Sequence, residues 1–431
     1  MIRRLRTTPC ALLAAAMLVA LAIPCIAESG HQTAIRIDSS FTQAPLGLFL
    51  SHAEDLSSRM TMRQIAGAEA AALFHPVHSE RPTFGYSKST HWFRFSVRND
   101  TGKPAVLYLN CDYPIIDLVK LHYPAEHGFR VYQAGDRIPF PARPFPYHTI
   151  VFPIELNPGV STYYLSVQSS GAFVLPLTLH TEESLTSRIR QEQRVLWLFY
   201  GFMIAFIIYN LFIFFSFRNF GYLYLVLFTL SISLFSMAHN GLAFQHLWPN
   251  CTAWQNISHP LFIFLSISFF ILFTRSFLNT GAEHRDIDRI LKIFLVINLC
   301  LSLTPFFINY FILTQASGIT TIINSIVCVT LSFIIVMRGS KPARLYLATW
   351  IVFLSGVSST SLLAFGILPA TFFTMYGYQI GTSFMVIMLS IGVTEKINTI
   401  RKEHEHALEA LRESEEKYRI LVENAREGIL V

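Results

Sequence analysis

Acidic residues are missing from two long stretches of this 431-residue chain: none lies between Glu192 and Glu283, and none between Asp288 and Glu395. Charged residues make up only 14% of the chain against 52% hydrophobic, where a soluble domain carries about 25% charge. That shortage excludes a disordered chain and a single soluble domain, and places part of the molecule in lipid. Cysteine is also sparse, with six residues and no CxxC or Cys/His spacing, so no zinc or other metal site is read. There is no basic stripe with interleaved aromatics, which argues against nucleic-acid binding. Nor is there a nucleophile–base constellation, a phosphate loop or a cofactor motif, and the chain reads as non-enzymatic.

The formal charge of +6 divides unevenly. Residues 1–27 carry Arg3, Arg4 and Arg6; residues 28–194 hold fifteen basic and fifteen acidic side chains; residues 195–394 hold eight and three; residues 395–431 hold seven and nine. Residues 1–27 have the form of a secretory signal peptide: a basic start, an apolar stretch over 11–23, helix-breaking Pro24, and Cys25-Ile26-Ala27 as a small-x-small cleavage site. Export puts Cys111 and Cys251 in an oxidising compartment, where a disulfide between them is open. Two unrelated thiols is the simpler reading.

Seven apolar runs follow, at 195–217, 221–243, 258–274, 290–308, 311–336, 345–367 and 372–394. Each is near the ~20 residues that cross a bilayer, and the fourth and fifth part at Asn309-Tyr310. Loop charge gives the orientation. Arg218; Arg275, Arg285, Arg289 and Lys292; Arg338, Lys341 and Arg344; and Lys396, Arg401 and Lys402 fall on alternate sides from loops 244–257, 309–310 and 368–371, which have no Lys or Arg. The positive-inside rule makes the first set cytoplasmic, leaving residues 28–194 outside and 395–431 inside. The last run has no lysine for a retinal Schiff base, and the runs have no carboxylate for coupled transport. Asn210, Asn298, Asn324 and Gln379 are expected to hydrogen-bond between helices. Trp248 and Trp254 suit an interface, and His239, His246 and His259 near them have no metal-selective spacing.

The exported segment reads as short strands. Trp92, Arg94 and Ser96 alternate with Phe93, Phe95 and Val97, the period of a half-buried strand. Further strands are expected at 105–110, 116–123, 149–156, 162–168 and 175–180, divided by Asn99-Asp100-Thr101-Gly102, Gly135-Asp136 and Asn157-Pro158-Gly159. The pattern predicts an all-β sandwich of jelly-roll type over 41–182, after a polar lead-in at 28–40. On it, Trp92, Tyr113 and Tyr147 are the aromatics suited to stack on a flat ligand, with Asp112, Arg143 and Gln168 as polar contacts. The opposing reading is that strand aromatics are core.

After Thr394 the chain turns charged and helical. Val393, Ile397, Ile400, His404, Ala407, Leu411, Ser414, Tyr418 and Leu421 recur at alternating spacings of four and three, a heptad seam with polar interruptions. It predicts a signalling helix over 395–417 that pairs with a second copy. His404 is followed by Glu405-His406-Ala407, without the acid–apolar–Arg-Pro run of a phosphoacceptor site.

The fragments His91-Trp92-Phe93-Arg94-Phe95, Asp112-Tyr113-Pro114, Val151-Phe152-Pro153, Ser169-Ser170-Gly171 and Leu175-Pro176-Leu177 occur in one order. They are followed by Tyr209-Asn210-Leu211-Phe212, Asn240-Gly241-Leu242-Ala243, Phe273-Thr274-Arg275-Ser276-Phe277-Leu278 and Lys341-Pro342-Ala343-Arg344. Over residues 41–400 the chain resembles bacterial seven-transmembrane receptors with diverse intracellular signalling modules, of the type 2 extracellular domain. The resemblance implies a carbohydrate-binding-like sensor coupled to seven helices in a bacterial inner membrane, with a small periplasmic ligand, carbohydrate among the choices. Ser414-Glu415-Glu416-Lys417-Tyr418-Arg419-Ile420-Leu421-Val422-Glu423-Asn424-Ala425 resembles the opening of a PAS domain, so 418–431 is expected to begin one. Relatives continue into two-component histidine kinases or diguanylate cyclases, which makes the sensor half of such an enzyme the first alternative. A transporter is the second.

Overall fold

The computed structural model describes residues 34–125, 128–171, 173–364, 367–369 and 371–428; the signal-peptide region, with Cys10 and Cys25, lies outside them. The alternating segments form thirteen strands. They are β1 (Ile35–Ile37), β2 (Gln43–Pro45), β3 (Ser51–Asp55), β4 (His75–Pro76), β5 (Thr83–Gly85), β6 (Thr90–Asn99), β7 (Ala105–Cys111), β8 (Leu118–Ala125), β9 (Gly128–Ala134), β10 (Ile150–Leu156), β11 (Gly159–Gln168), β12 (Phe173–Val174) and β13 (Leu177–His180). One sheet runs β4-β3-β6-β11-β8-β9 and the other β10-β7-β13-β2, with β12 and β5 as a separate pair.

The inward side chains of the two sheets interdigitate. Phe93, Phe95 and Val97 of β6, Val119 and Leu121 of β8, and Leu165 and Val167 of β11 meet Leu107 and Leu109 of β7, Phe152 and Ile154 of β10, and Leu177 and Leu179 of β13. This is a β-sandwich. The six expected strands appear within a few residues of their predicted bounds, but the sandwich begins earlier than residue 41. Ile35 and Ile37 enter the core through β1, which pairs in parallel with Val97–Asn99 of β6 along the edge that β3 leaves free. A three-residue strand with one charged residue has no periodicity to detect; only its long-range partner defines it.

Seven long helices follow among the described residues, with short helical turns between some of them: α1 (Glu182–Phe217), α2 (Phe220–His239), α3 (Thr252–Phe277), α4 (Arg285–Leu303), α5 (Tyr310–Met337), α6 (Lys341–Ala364) and α7 (Gly377–Gly428). All seven are long and apolar enough to cross a membrane. α1 starts thirteen residues before its apolar run, because Thr181 caps it by accepting from the Ser184 amide at 3.3 Å and Glu182 and Glu183 sit in its first turn. α7 continues from the bundle to Gly428 without a break.

Of the four intramembrane amides, three tie helices as expected. Asn210 accepts from Ser390 at 2.8 Å, and Asn298 donates to Asn324 at 3.1 Å. Gln379 differs: it faces a cavity, and its Oε1 has no partner among the described residues.

Candidate functional site

The sandwich meets the bundle at several points, with Tyr86 and Lys88 against Phe311 of α5 and, most extensively, with the loop 139–149 against α1, the end of α2 and Pro249. Pro139 leads a turn of 3-10 helix, Phe140–Ala142, which delivers Arg143 into the interior. Arg143 is only 7% exposed. Its Nη1 donates to the carbonyls of Tyr147, His148 and Thr149 at 3.2, 3.1 and 3.4 Å, and its Nη2 to that of Gly135 at 3.3 Å. The guanidinium also lies 4.9 Å from the ring of Phe140 and 5.5 Å from that of Phe244, a bundle residue. One buried cation therefore organises residues 140–149 and presses them on the membrane domain. Burial pulls Arg143 down to about 10, opposed by the nearby Asp136 carboxylate, so it stays charged at neutral pH. Asp136 itself is pushed up to about 7 by burial and by Asp117.

Polar contacts complete the joint. His148 Nδ1 donates to the Asn240 carbonyl at 2.7 Å, which fixes its tautomer. Phe140 N–H donates to the Pro249 carbonyl at 2.8 Å, Tyr147 O–H to Glu192 at 2.8 Å, and Asp112 pairs with Arg188. Gly241 takes φ +75°, and a Cβ there would lie 2.6 Å from the His148 oxygen and 2.8 Å from Pro114. That position tolerates no side chain, in backbone geometry or in space.

Two spaces open beside this joint. A chamber of about 160 Å³ lies between the domains, walled by Arg81, Asp112, His148, Arg188 and Glu192 among others. A mainly apolar cavity of about 390 Å³ lies inside the bundle, walled by Phe228, Phe235, Phe270, Trp350, Tyr378 and Gln379 among others. Beside it His239 and His259 face each other at 3.2 Å under Phe235. No group of three metal-ligating side chains occurs among the described residues.

Two family models match. The description "7TMR-DISM extracellular 2" covers residues 47–181 and "7TM diverse intracellular signalling" covers 192–396. The chain belongs to this family of receptors. No curated protein matches it. The receptor is thus a multi-pass membrane sensor: the matched regions are a sensor sandwich and its seven spans, joined at the contacts above.

The six residues singled out from the sequence of the receptor do not form one pocket. Trp92 is 4% exposed and packs with Ala53, Ile65, Phe74 and Tyr164, so the second face of β6 is a small core of its own rather than an open platform. Tyr147 is 3% exposed and Tyr113 packs on the main core. Gln168 donates to Thr90 at 2.8 Å, away from the joint. Asp112, Arg143 and Tyr147 do meet, as parts of the joint. Asn240, Gly241, Phe244 and Glu192, which complete it, were not marked as site residues; their partners lie far off in the chain. Cys111 is buried and Cys251 exposed, and both are free thiols.

The joint should loosen in acid. Burial lowers His148 from 6.5 to about 4, with Arg143 and His246 adding to the effect, while the Asn240 carbonyl and the Glu192 carboxylate, 3.8 Å from Nε2, face it. Above pH 6.5 His148 is neutral whether docked or free, and the contact is at full strength. Between 6.5 and 4 only the undocked form takes up a proton, so docking weakens as pH falls, by about 3 kcal/mol when the window is crossed. His52, His122 and His180, each lowered by burial to about 4, add a common acid slope. His148→Gln keeps a donor for Asn240 and should reduce the loss of thermal stability between pH 7.5 and 5. Equal losses in both proteins would show that His148 is not the titrating group.

Proposed function

We propose that this receptor detects a small periplasmic ligand and passes the event through its seven helices to a cytoplasmic output, with the sandwich outside a bacterial inner membrane and residues 395–431 inside. Loop charge supports this orientation, because every basic loop falls on the side away from the sandwich. The observation that carries the relay is the continuity of α7, whose first turns wall the bundle cavity and whose last turns reach Gly428. A ligand must favour one of two arrangements of that helix, since one without differential affinity shifts nothing.

The output is a PAS-linked module, of histidine kinase or diguanylate cyclase type, met by a pair of α7 helices. Leu411 and Tyr418 of the heptad seam are 56% and 69% exposed, apolar surface suited to a second copy. A carbohydrate bound to the sandwich would use side chains other than Trp92 and Tyr147, which the two cores enclose. Two measurements test the reading in the full chain. A membrane-impermeant maleimide should label Cys251 in intact spheroplasts and leave Leu411→Cys unlabelled; the reverse pattern would invert the orientation. Oxidation of Leu411→Cys in membranes, with the native cysteines replaced, should give a cross-linked dimer, and a wholly monomeric product would remove the paired helix.

A further inference from the structure

The chamber and the cavity adjoin. Asn240, Met375 and Gln379 wall both, so only these side chains part the polar space between the domains from the apolar space within the bundle. The two differ in chemistry. The cavity is bounded mainly by rings and aliphatic side chains, with serine and threonine hydroxyls, the amides of Asn240, Asn324 and Gln379 and the His239 imidazole scattered among them, and with no carboxylate, lysine or arginine. The chamber has two guanidinium groups and two carboxylates. Three of these four are engaged: Asp112 with Arg188, and Glu192 with the Tyr147 hydroxyl. Arg81 is not. Its guanidinium holds no hydrogen bond or ion pair among the described residues, although Asp112 attracts it from beyond bonding distance. The Arg188 Nε is buried without a partner as well. A site built in this way has unengaged guanidinium donors at one end, where two guanidinium groups and two carboxylates balance in formal charge, and a hydrocarbon-like interior at the other.

We propose that the receptor binds an amphipathic monoanion, a long-chain acyl carboxylate or a lipid with an equivalent anionic head, with the anion at Arg81 and the chain in the cavity beside Phe270 and Trp350. At about 390 Å³ the cavity is within the range of pockets that enclose small organic ligands. Met375, in the wall the two spaces share, has an unbranched side chain that could turn aside to let an acyl chain pass. Occupancy would touch Tyr378, Gln379 and Met385, all on α7. The ligand would therefore act on the helix that leads to the cytoplasm without first moving the sandwich. This deepens the relay proposed above and rests on it, with the acyl anion as the ligand class.

Trp350 lines the cavity and supplies the probe. The full-length receptor in nanodiscs of neutral phosphatidylcholine is titrated with 9,10-dibromostearate, whose bromines quench indole fluorescence at contact. Saturable quenching is expected, absent in Trp350→Phe, competed by oleate and not by oleyl alcohol. Arg81→Gln should weaken it roughly tenfold, the worth of one charge-assisted contact, and Arg81→Lys should restore most of the affinity. Quenching by brominated phosphatidylglycerol in place of the free acid supports the site and names a bilayer lipid as the source. Quenching no greater than in Trp350→Phe overturns the site. Equal response to acid and alcohol, unchanged by Arg81→Gln, overturns the anionic end. Oleate-dependent change in Leu411→Cys cross-linking is read separately: binding without that change leaves the site standing and removes the relay.

Discussion

Replacing Arg143 by methionine is expected to unseat the sandwich from the bundle and to cost about 3–5 kcal/mol, the range for loss of one member of a buried, hydrogen-bonded charge system. The size follows from what the side chain does. Four carbonyls, of Gly135, Tyr147, His148 and Thr149, have the guanidinium as their donor, and with methionine they are left in an enclosed site with dipoles unpaired. Asp136 loses the cation that opposes its high pKa. The apolar stem and the volume are nearly kept, so packing against Phe140 and Phe244 survives while the charge contacts do not. Arg143→Lys should recover less than half of the loss, because a single ammonium cannot reach carbonyls spread over two segments of chain. The measurement is thermal unfolding of the detergent-solubilised receptor together with proteolysis of residues 139–149. Unchanged stability and an uncut loop in Arg143→Met would show that the loop holds its shape without the cation.

The same contacts explain why a sensor sandwich can act on the membrane domain at all. Arg143 gathers the loop, and the loop carries His148 to Asn240 and Tyr147 to Glu192 of α1. Movement of the sandwich would thereby be expressed at the ends of α1 and α2 on which it sits. From there the core of the bundle is continuous: Tyr222 shares one buried apolar cluster with Leu389 and Val393, and its hydroxyl lies 3.0 Å from Thr394 of α7. Lys396, two residues further, donates to the carbonyls of Ser276 and Phe277 at the end of α3 at 3.0 and 2.9 Å. Each link is a packed or hydrogen-bonded contact, the kind of element through which two arrangements can be coupled.

How much of this was legible in the sequence depends on the range of the interaction. The spans and six strands are written locally, as hydropathy over ~20 residues and alternation over six or seven; the strands lie within a few residues of their expected bounds, and so do the spans except that α1 starts early and α7 runs on to Gly428. The early start of α1 was also written there, in Thr181 followed by two glutamates. What escaped depends on partners far away in the chain. Trp92 has the alternation of an exposed face, but the short helix Met62–Ile65 and Phe74 close over it. Arg143 and Tyr147 have, in the sequence, the polar and aromatic character suited to a ligand. They recognise the receptor's own backbone and Glu192 instead, and no pattern within residues 139–149 distinguishes the two uses. Gln379 is an intramembrane amide like Asn210 and Asn324, and what sets it apart is an amide oxygen without a partner among the described residues.

The second large effect is expected at Gly356, where α6 and α7 touch backbone to backbone. A Cβ on Gly356 would overlap the Gly377 carbonyl oxygen and approach the Gly381 Cα at 3.3 Å, and one on Gly381 would meet the Phe353 oxygen at 3.2 Å. Gly377 and Gly381 are four apart on α7, the small-residue spacing that lets membrane helices approach closely. Neither backbone can yield without moving its helix. Gly356→Ala should therefore cost more than about 2 kcal/mol, and Gly356→Leu should prevent assembly of the bundle. Gly392→Ala is the matched control: its Cβ would press on the flexible end of Leu345 at 2.8 Å and the ring of Phe277 at 3.0 Å, side chains that can turn aside. The yield of monodisperse receptor in detergent and its unfolding midpoint measure both. A Gly356→Ala protein as stable as Gly392→Ala would mean that α6 and α7 slide past each other freely. A large loss at Gly356 alone fixes α6 to the first turns of α7, so that movement of α7 must either carry α6 with it or begin below Gly381.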